Sequence, residues 1–211
     1  MKRFQLITEA DARVLDYGST VALAAGGHVT PLALDTLRAR RIAVVREGTD
    51  SEVEELAPPA TVRVVAIAGD HTAVALKKAI RDHLRGRGVA VHDLGTDSTD
   101  TVDYPDTAAA AAIAVARREA DAGIVIDGAG LGSAIAANKI AGVRAAMCVN
   151  QTLARYAREH NGANVLALGS TLITPAEALS IVQTFVETPM RDPRYMRRLA
   201  KIRALERHPR V

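Results

Sequence analysis

From residue 62 onward the chain alternates short, β-rich apolar runs with longer stretches whose apolar residues recur at helical spacing. The pattern predicts strands over Val62–Ala68, Ala90–Leu94, Gly123–Ile126, Arg144–Val149 and Asn164–Leu168. Between and after them it predicts helices over Thr72–Arg85, Pro105–Arg118, Ser133–Lys139, Thr152–His160 and Pro175–Glu187. Strands that alternate with helices cross over into a parallel sheet, so the expected fold is α/β: a doubly wound, Rossmann-like, five-stranded parallel sheet flanked by helices. The run at Gly123–Ile126 is apolar without alternation, as a strand buried on both faces is.

The first residues read differently. Thr8 caps a short predicted helix through Val14, Thr20–Ala24 is strand-like, Thr30-Pro31 starts a helix through Arg40, and Ile42–Val45 is again strand-like. The stretch EGTDSEVEELAPPA at 47–60 is acidic, contains proline and is poor in large apolar residues, as linkers are. The expected organisation is a small N-terminal α/β extension over 1–46, a linker over 47–61, the Rossmann-like domain over 62–190 and a basic C-terminal helix over 191–211. A unit of that size has little core of its own, so it is expected to pack on the main domain or on another protein.

Composition narrows the function classes. The chain of 211 residues is 48% hydrophobic and 24% charged, as ordinary globular proteins are. Its formal charge of +3 argues against a nucleic-acid partner. The excess gathers in Arg191, Arg194, Arg197, Arg198, Lys201, Arg203, Arg207 and Arg210, first read as a solvated helix face. One cysteine, Cys148, excludes an internal disulfide framework and fits a reducing compartment. No apolar run approaches the roughly 20 residues of a membrane span and the first residues do not read as a secretory leader, so a cytoplasmic protein without membrane partners is expected.

In doubly wound sheets ligands bind outside the carboxyl ends of the strands, which selects the loops beginning at Gly69, Gly95, Asp127, Asn150 and Gly169. Asp127-Gly128-Ala129-Gly130-Leu131-Gly132 lies between a buried strand and a helix. Its glycines permit close backbone approach and its N–H groups suit an anion, although a plain strand-to-helix turn is the bland alternative. The spacing falls short of a dinucleotide fingerprint. Gly69-Asp70-His71 either binds hydroxyls and phosphate or caps the next helix. His160-Asn161 either belongs to a site or closes a helix, with Asn161 able to take the left-handed turn.

Taken together, Gly69-Asp70-His71, Asp103-Tyr104-Pro105, the glycine loop continuing as Ile135-Ala-Ala-Asn138-Lys139, Gly142-Val-Arg144-Ala, His160-Asn161 with Asn164-Val-Leu, and Gly169-Ser170 resemble ribose-5-phosphate isomerase B and the related galactose-6-phosphate isomerases in order and spacing. The resemblance covers residues 63 to 202. It implies aldose–ketose isomerisation of a small phosphorylated sugar, most simply ribose 5-phosphate, through an enediolate and without metal or organic cofactor. It implies an anion hole of backbone N–H groups from Gly128, Ala129, Gly130, Leu131 and Gly132. It assigns ring opening to His160 helped by Asp70, hydroxyl contacts to Asn161 and Tyr104, and phosphate contacts to His71, Arg194 and Arg198, and it implies a homodimer or dimer of dimers with shared active sites. The spacing of the two arginines puts both on one helical face, which revises the first reading of the basic tail.

Two departures stand out. The proton-transfer base of the resembled family is a cysteine where this chain has Asp127, or a glutamate where it has Ser133, and a supporting hydroxyl is replaced by Ala129. Asp127 is the expected base, with desolvation after Ile124-Val-Ile126 expected to raise its pKa. The alternative is that Asp127 only caps the next helix, in a protein that binds sugar phosphate without turnover. Second, Leu6-Ile-Thr8, Val29-Thr-Pro31-Leu-Ala33 and Ile42-Ala-Val-Val45 resemble N-terminal segments of bacterial microcompartment proteins, including the ethanolamine-utilisation type. That likeness implies an adaptor over 1–46 for a shell or partner enzyme, and a place within a microcompartment.

Overall fold

The computed structural model describes residues 1–46 and 56–207, with backbone alone for Ala25, Arg46, Pro193, Arg194 and Arg207. Most of the 47–61 linker expectation, the Arg194 and Arg207 side chains and Arg210 therefore lie outside the described residues. The chain divides into two compact units, Met1–Glu55 and Leu56–Val211.

The first unit runs β1 (Arg3–Ile7), α1 (Glu9–Val14), β2 (Thr20–Val29), α2 (Pro31–Ala39) and β3 (Ala43–Arg46). Its strands form a parallel sheet in the order β1-β2-β3. Thr8 caps α1 through a capping box with Asp11, and Thr30 with Pro31 opens α2, which is why both helices start where the sequence places them. Strand β1 was not expected: RFQLI exposes most of its side chains, and pairing with β2 rather than local pattern creates it. The unit has a small core of its own around Ile7, Leu23 and Leu37. Leu6, Val14, Tyr17, Leu32, Leu34 and Val45 remain exposed.

The second unit runs β4 (Val64–Gly69), α3 (Val74–Gly86), β5 (Ala90–Asp93), α4 (Tyr104–Ala116), β6 (Ala122–Asp127), α5 (Leu131–Ala137), β7 (Ala145–Met147), α6 (Gln151–Asn161), β8 (Val165–Gly169), α7 (Pro175–Glu187) and α8 (Pro193–Arg207). Its five strands are parallel in the order β5-β4-β6-β8-β7. After β4 the chain crosses to one side of the sheet and after β6 to the other, so the switch point lies between the carboxyl ends of these two strands.

Strands β6 and β8 are buried along their whole length, which explains their lack of polar alternation. One face of the sheet carries large side chains, with Ile67, Ile124, Leu166 and Phe185 in its core. The other face is lined with alanine, and α4 contributes Ala108, Ala111 and Ala112 to it. Small residues on both sides let helix and sheet approach closely, so the alanine-rich helix is a packing device.

Buried charge is paired or capped. Lys77 of α3 is fully buried and bonds to Asp93 and Asp97, while Arg81 bonds to Asp93, which ties α3 to the loop after β5. Arg158 of α6 is also fully buried, but it donates to the backbone carbonyls of Pro59, Ala163 and Thr188 and lies over the Phe185 ring. Burial lowers its pKa to about 10. Arg144 repeats the arrangement with the carbonyls of Leu56 and Gly162.

Candidate active site

The switch point is built from three neighbouring loops, after β4, β6 and β8. They are laced together by backbone bonds: Asp70 N–H donates to the Ile126 carbonyl, Ser170 N–H to that of Asp127 and Thr171 N–H to that of Gly128. Thr171 Oγ1 also donates to the Gly128 carbonyl at 2.6 Å. Gly130 sits at φ 76, and a side chain there would come within 2.8 Å of the Leu168 backbone, so both conformation and space demand glycine.

Asp127 closes β6 and is 5% exposed. Its Oδ1 accepts hydrogen bonds from the N–H groups of Ala129, at 2.8 Å, and Gly130; its Oδ2 accepts from Ser133 N–H at 2.7 Å. Burial pushes the carboxyl pKa up, but the Ser133 hydroxyl and the N–H groups of Ser133, Gly130 and Ala129 outweigh it, and Asp127 lies below the usual carboxylate range. This corrects the raised pKa expected from the sequence: desolvation alone acts upward, and the amides that the turn aims at this carboxylate reverse the sign. The same bonds mean that Ala129, Gly130 and Ser133 N–H groups already serve Asp127. At the start of α5, Leu131 and Gly132 are the residues whose N–H groups helix geometry leaves without an intrahelical partner and which donate no bond to Asp127.

Asp70 is buried, and its Oδ1 accepts from Thr72 N–H at 2.9 Å and Thr72 Oγ1 at 2.6 Å. It therefore turns the loop rather than capping the helix, which starts at Val74 without a side-chain cap. Thr72 Oγ1 meets Ser170 Oγ at 3.4 Å, so the β4 and β8 loops touch across the loop between them. His71 Nδ1 accepts from Val102 N–H at 3.4 Å, fixing the segment that leads to Tyr104. The Tyr104 ring lies against Gly132.

The other expected residues form a separate group. His160 stacks between Tyr156, with centroids 4.7 Å apart, and Tyr195, at 4.5 Å, and the Arg198 guanidinium lies over Tyr195 at 5.3 Å. Asn161 stays helical; it is Gly162, at φ 56, that takes the left-handed turn. These residues occupy the opposite end of the sheet. Asp127 pairs with Gly169, the last residue of β8, whereas α6 ends at Asn161, ahead of Val165, the first residue of β8. The strand between them spans roughly 13 Å. Tyr195 was missed by the sequence reasoning, although its spacing from Arg198 on one helix marks the shared face. Thr72 was read only as a helix start and Ser170 only as part of a motif, and strand order is what reveals that they meet. Among the described residues no cluster of ligating side chains suits a metal ion, and no helix is long and apolar enough to cross a membrane.

Residues 65–202 match the family described as Ribose/Galactose Isomerase. The chain belongs to this family. It is 42% identical over 142 residues to ribose-5-phosphate isomerase B of Escherichia coli, covering 67% of this chain and 95% of the relative. The structure of Clostridium thermocellum ribose-5-phosphate isomerase B matches with a TM-score of 0.67 and 45% identity, over 68% of this chain and 97% of that one. Ribose-5-phosphate isomerase B of Mycoplasma genitalium, solved with bound ribulose 5-phosphate, matches with a TM-score of 0.67 and 40% identity, over 69% and 97%. All three matches span nearly the whole of the relative, and the family match begins at Val65, one residue into β4. The protein is a sugar-phosphate isomerase of the ribose/galactose isomerase family, and its five-stranded sheet is the family's fold.

Proposed function

We propose that the protein converts ribose 5-phosphate to ribulose 5-phosphate through an enediolate, with Asp127 as the proton-transferring base in place of the family's cysteine. The observation that carries this reading is the carboxylate itself: Asp127 stands at the switch point, beside Asp70, at the head of a glycine loop against which Tyr104 packs. Its Oδ1 has both lone pairs engaged by Ala129 and Gly130, while Oδ2 accepts from Ser133 alone and keeps a lone pair. Oδ2 is thus the atom that takes the proton from C2 of the sugar and returns it to C1. A depressed pKa keeps the group ionised at neutral pH but makes it a weaker base, so turnover slower than with a thiolate is expected.

The remaining roles follow the resemblance. His160, with Asp70, opens the sugar ring; Tyr104 and Asn161 hold hydroxyls; His71, Arg194 and Arg198 hold the phosphate; and loop N–H groups face the developing oxyanion. No cofactor is required. The opposite placement of Asp127 and His160 in one chain supports a homodimer, or a dimer of dimers, in which each site takes one group from each subunit. For residues 1–46, the exposed Leu6, Val14, Tyr17 and Leu32 support an adaptor that docks on a microcompartment shell or partner enzyme.

A second reading is a sugar-phosphate-binding protein without turnover, favoured by the amides that hold the Asp127 carboxylate as a helix cap. Incubation with ribose 5-phosphate in deuterated water separates the two. Exchange at C2 with ketose formation, lost in Asp127→Asn, supports the enzyme; binding without exchange for any pentose or hexose phosphate supports the second reading.

A further inference from the structure

Both faces of the His160 imidazole are covered. Tyr156, one turn earlier on α6, stacks on one face with centroids 4.7 Å apart and 16° between the planes. Tyr195 of α8 stacks on the other at 4.5 Å and 28°. Ring stacking at these distances is favourable, and two near-parallel neighbours fix the plane of a ring whose own terminal torsion is soft. His71, by contrast, is held by the hydrogen bond that its Nδ1 accepts from Val102 N–H. Among the described residues the His160 ring makes no hydrogen bond, and the Glu159 carboxylate approaches Nε2 only to 4.0 Å. Stacking is therefore what aims this ring.

The cover from α8 is itself built in. Leu199, one turn after Tyr195, is buried and closes on Gly162, where a β-carbon would come within 2.7 Å of it. That contact seats α8 on the end of α6 and brings Tyr195 over His160. The Arg198 guanidinium lies over the same Tyr195 ring at 5.3 Å. A histidine held in this way loses its faces but keeps its edge, which carries both nitrogens, and the side chain stays 32% exposed.

We propose that Tyr156 and Tyr195 are positioning residues for ring opening, holding the edge of His160 toward the ring oxygen of the cyclic sugar phosphate. This rests on the reading of His160 as the group that opens the ring. Opening breaks the bond between C1 and the ring oxygen. That oxygen keeps the electron pair and takes a proton from His160, while the anomeric hydroxyl gives its proton to Asp70 and becomes the C1 carbonyl. The later proton transfer from C2 to C1 runs on the open chain and does not use His160.

The test separates the two steps in the full chain. Forward turnover of ribose 5-phosphate, a furanose, needs both. Exchange of a C1 proton of ribulose 5-phosphate in deuterated water needs only the second, because this ketose carries its phosphate on O5 and stays open. Tyr195→Leu and Tyr156→Leu are expected to lower forward kcat/KM roughly tenfold and to leave the exchange rate within about twofold of wild type. Tyr195→Phe and Tyr156→Phe, which keep the rings, restore the forward rate. Should Tyr195→Leu lose the fold by circular dichroism, Tyr156→Leu, at a half-exposed position, decides alone. Equal losses in both assays, or no loss in either, overturn the proposal and leave the tyrosines as packing between helices. Loss of exchange as well as turnover in His160→Asn overturns the ring-opening reading beneath it, and absence of both reactions in wild type overturns the isomerase reading.

Discussion

The ring of Tyr104 lies so close to the α-carbon of Gly132 that a β-carbon there would come within 2.6 Å of ring atoms Cε2 and Cζ and 3.0 Å of the hydroxyl. Gly132→Ala must push the ring away from the loop that it covers. The expected result is a loss of roughly 10²-fold in kcat/KM, the usual consequence of misplacing a binding group by about 1 Å. Steady-state kinetics check it, with circular dichroism to confirm the fold.

Asp127 also predicts a pH dependence of stability. Its folded pKa is depressed, so its contribution is present above the unfolded carboxyl value and is lost as pH falls through the folded one. Asp127→Asn is expected to lower stability at pH 7 by about 1–3 kcal/mol and to flatten the decline on the acid side. Urea unfolding at a series of pH values measures both.

Cys148 is buried, and burial pushes its thiol pKa up to about 11. Thiol reagents need the thiolate. Iodoacetamide at pH 8 is expected to leave the native protein unlabelled and its activity unchanged, with labelling by mass spectrometry only after unfolding.

If each site takes Asp127 from one subunit and His160 from the other, two inactive variants should rescue one another. Mixed and refolded Asp127→Asn and His160→Asn proteins are expected to recover about a quarter of wild-type activity, because half the dimers are mixed and each mixed dimer holds one intact site. No recovery would place both groups in sites within single subunits.

Lys77 has no exposed side-chain surface and meets Asp93 and Asp97. Lys77→Met removes the buried cation and leaves Asp93 to Arg81. Because Asp93 keeps Arg81 and Asp97 is exposed, no buried charge is stranded, and a loss of about 1–3 kcal/mol is expected, seen as a lowered unfolding temperature.

Much of this architecture is legible in the amino-acid order, because strands such as Gly123–Ile126, buried on both faces, and helices with capping boxes such as Thr174–Glu177 carry their signals locally. Strand β1 was not legible, since its apolar residues do not alternate cleanly and its partner strand is what orders it. In the site, the glycine loop, Asp70 and Asp127 are visible as strand-end residues. The sign of the Asp127 shift is not, because it depends on where three backbone N–H vectors converge. The separation of His160 from Asp127 is implicit in the element order, since one closes a helix and the other a strand of the same parallel sheet.

The carbonyl grip of Arg144 and Arg158 sets a limit on where the protein can be divided. Pro59 accepts from the buried guanidinium of Arg158 and Leu56 from the half-buried one of Arg144. A cut at residue 61 would strip both carbonyls away and strand positive charge in the interior. The second unit as an independent piece therefore begins no later than Leu56, and residues that look like tether on composition behave as part of the wall they lean on.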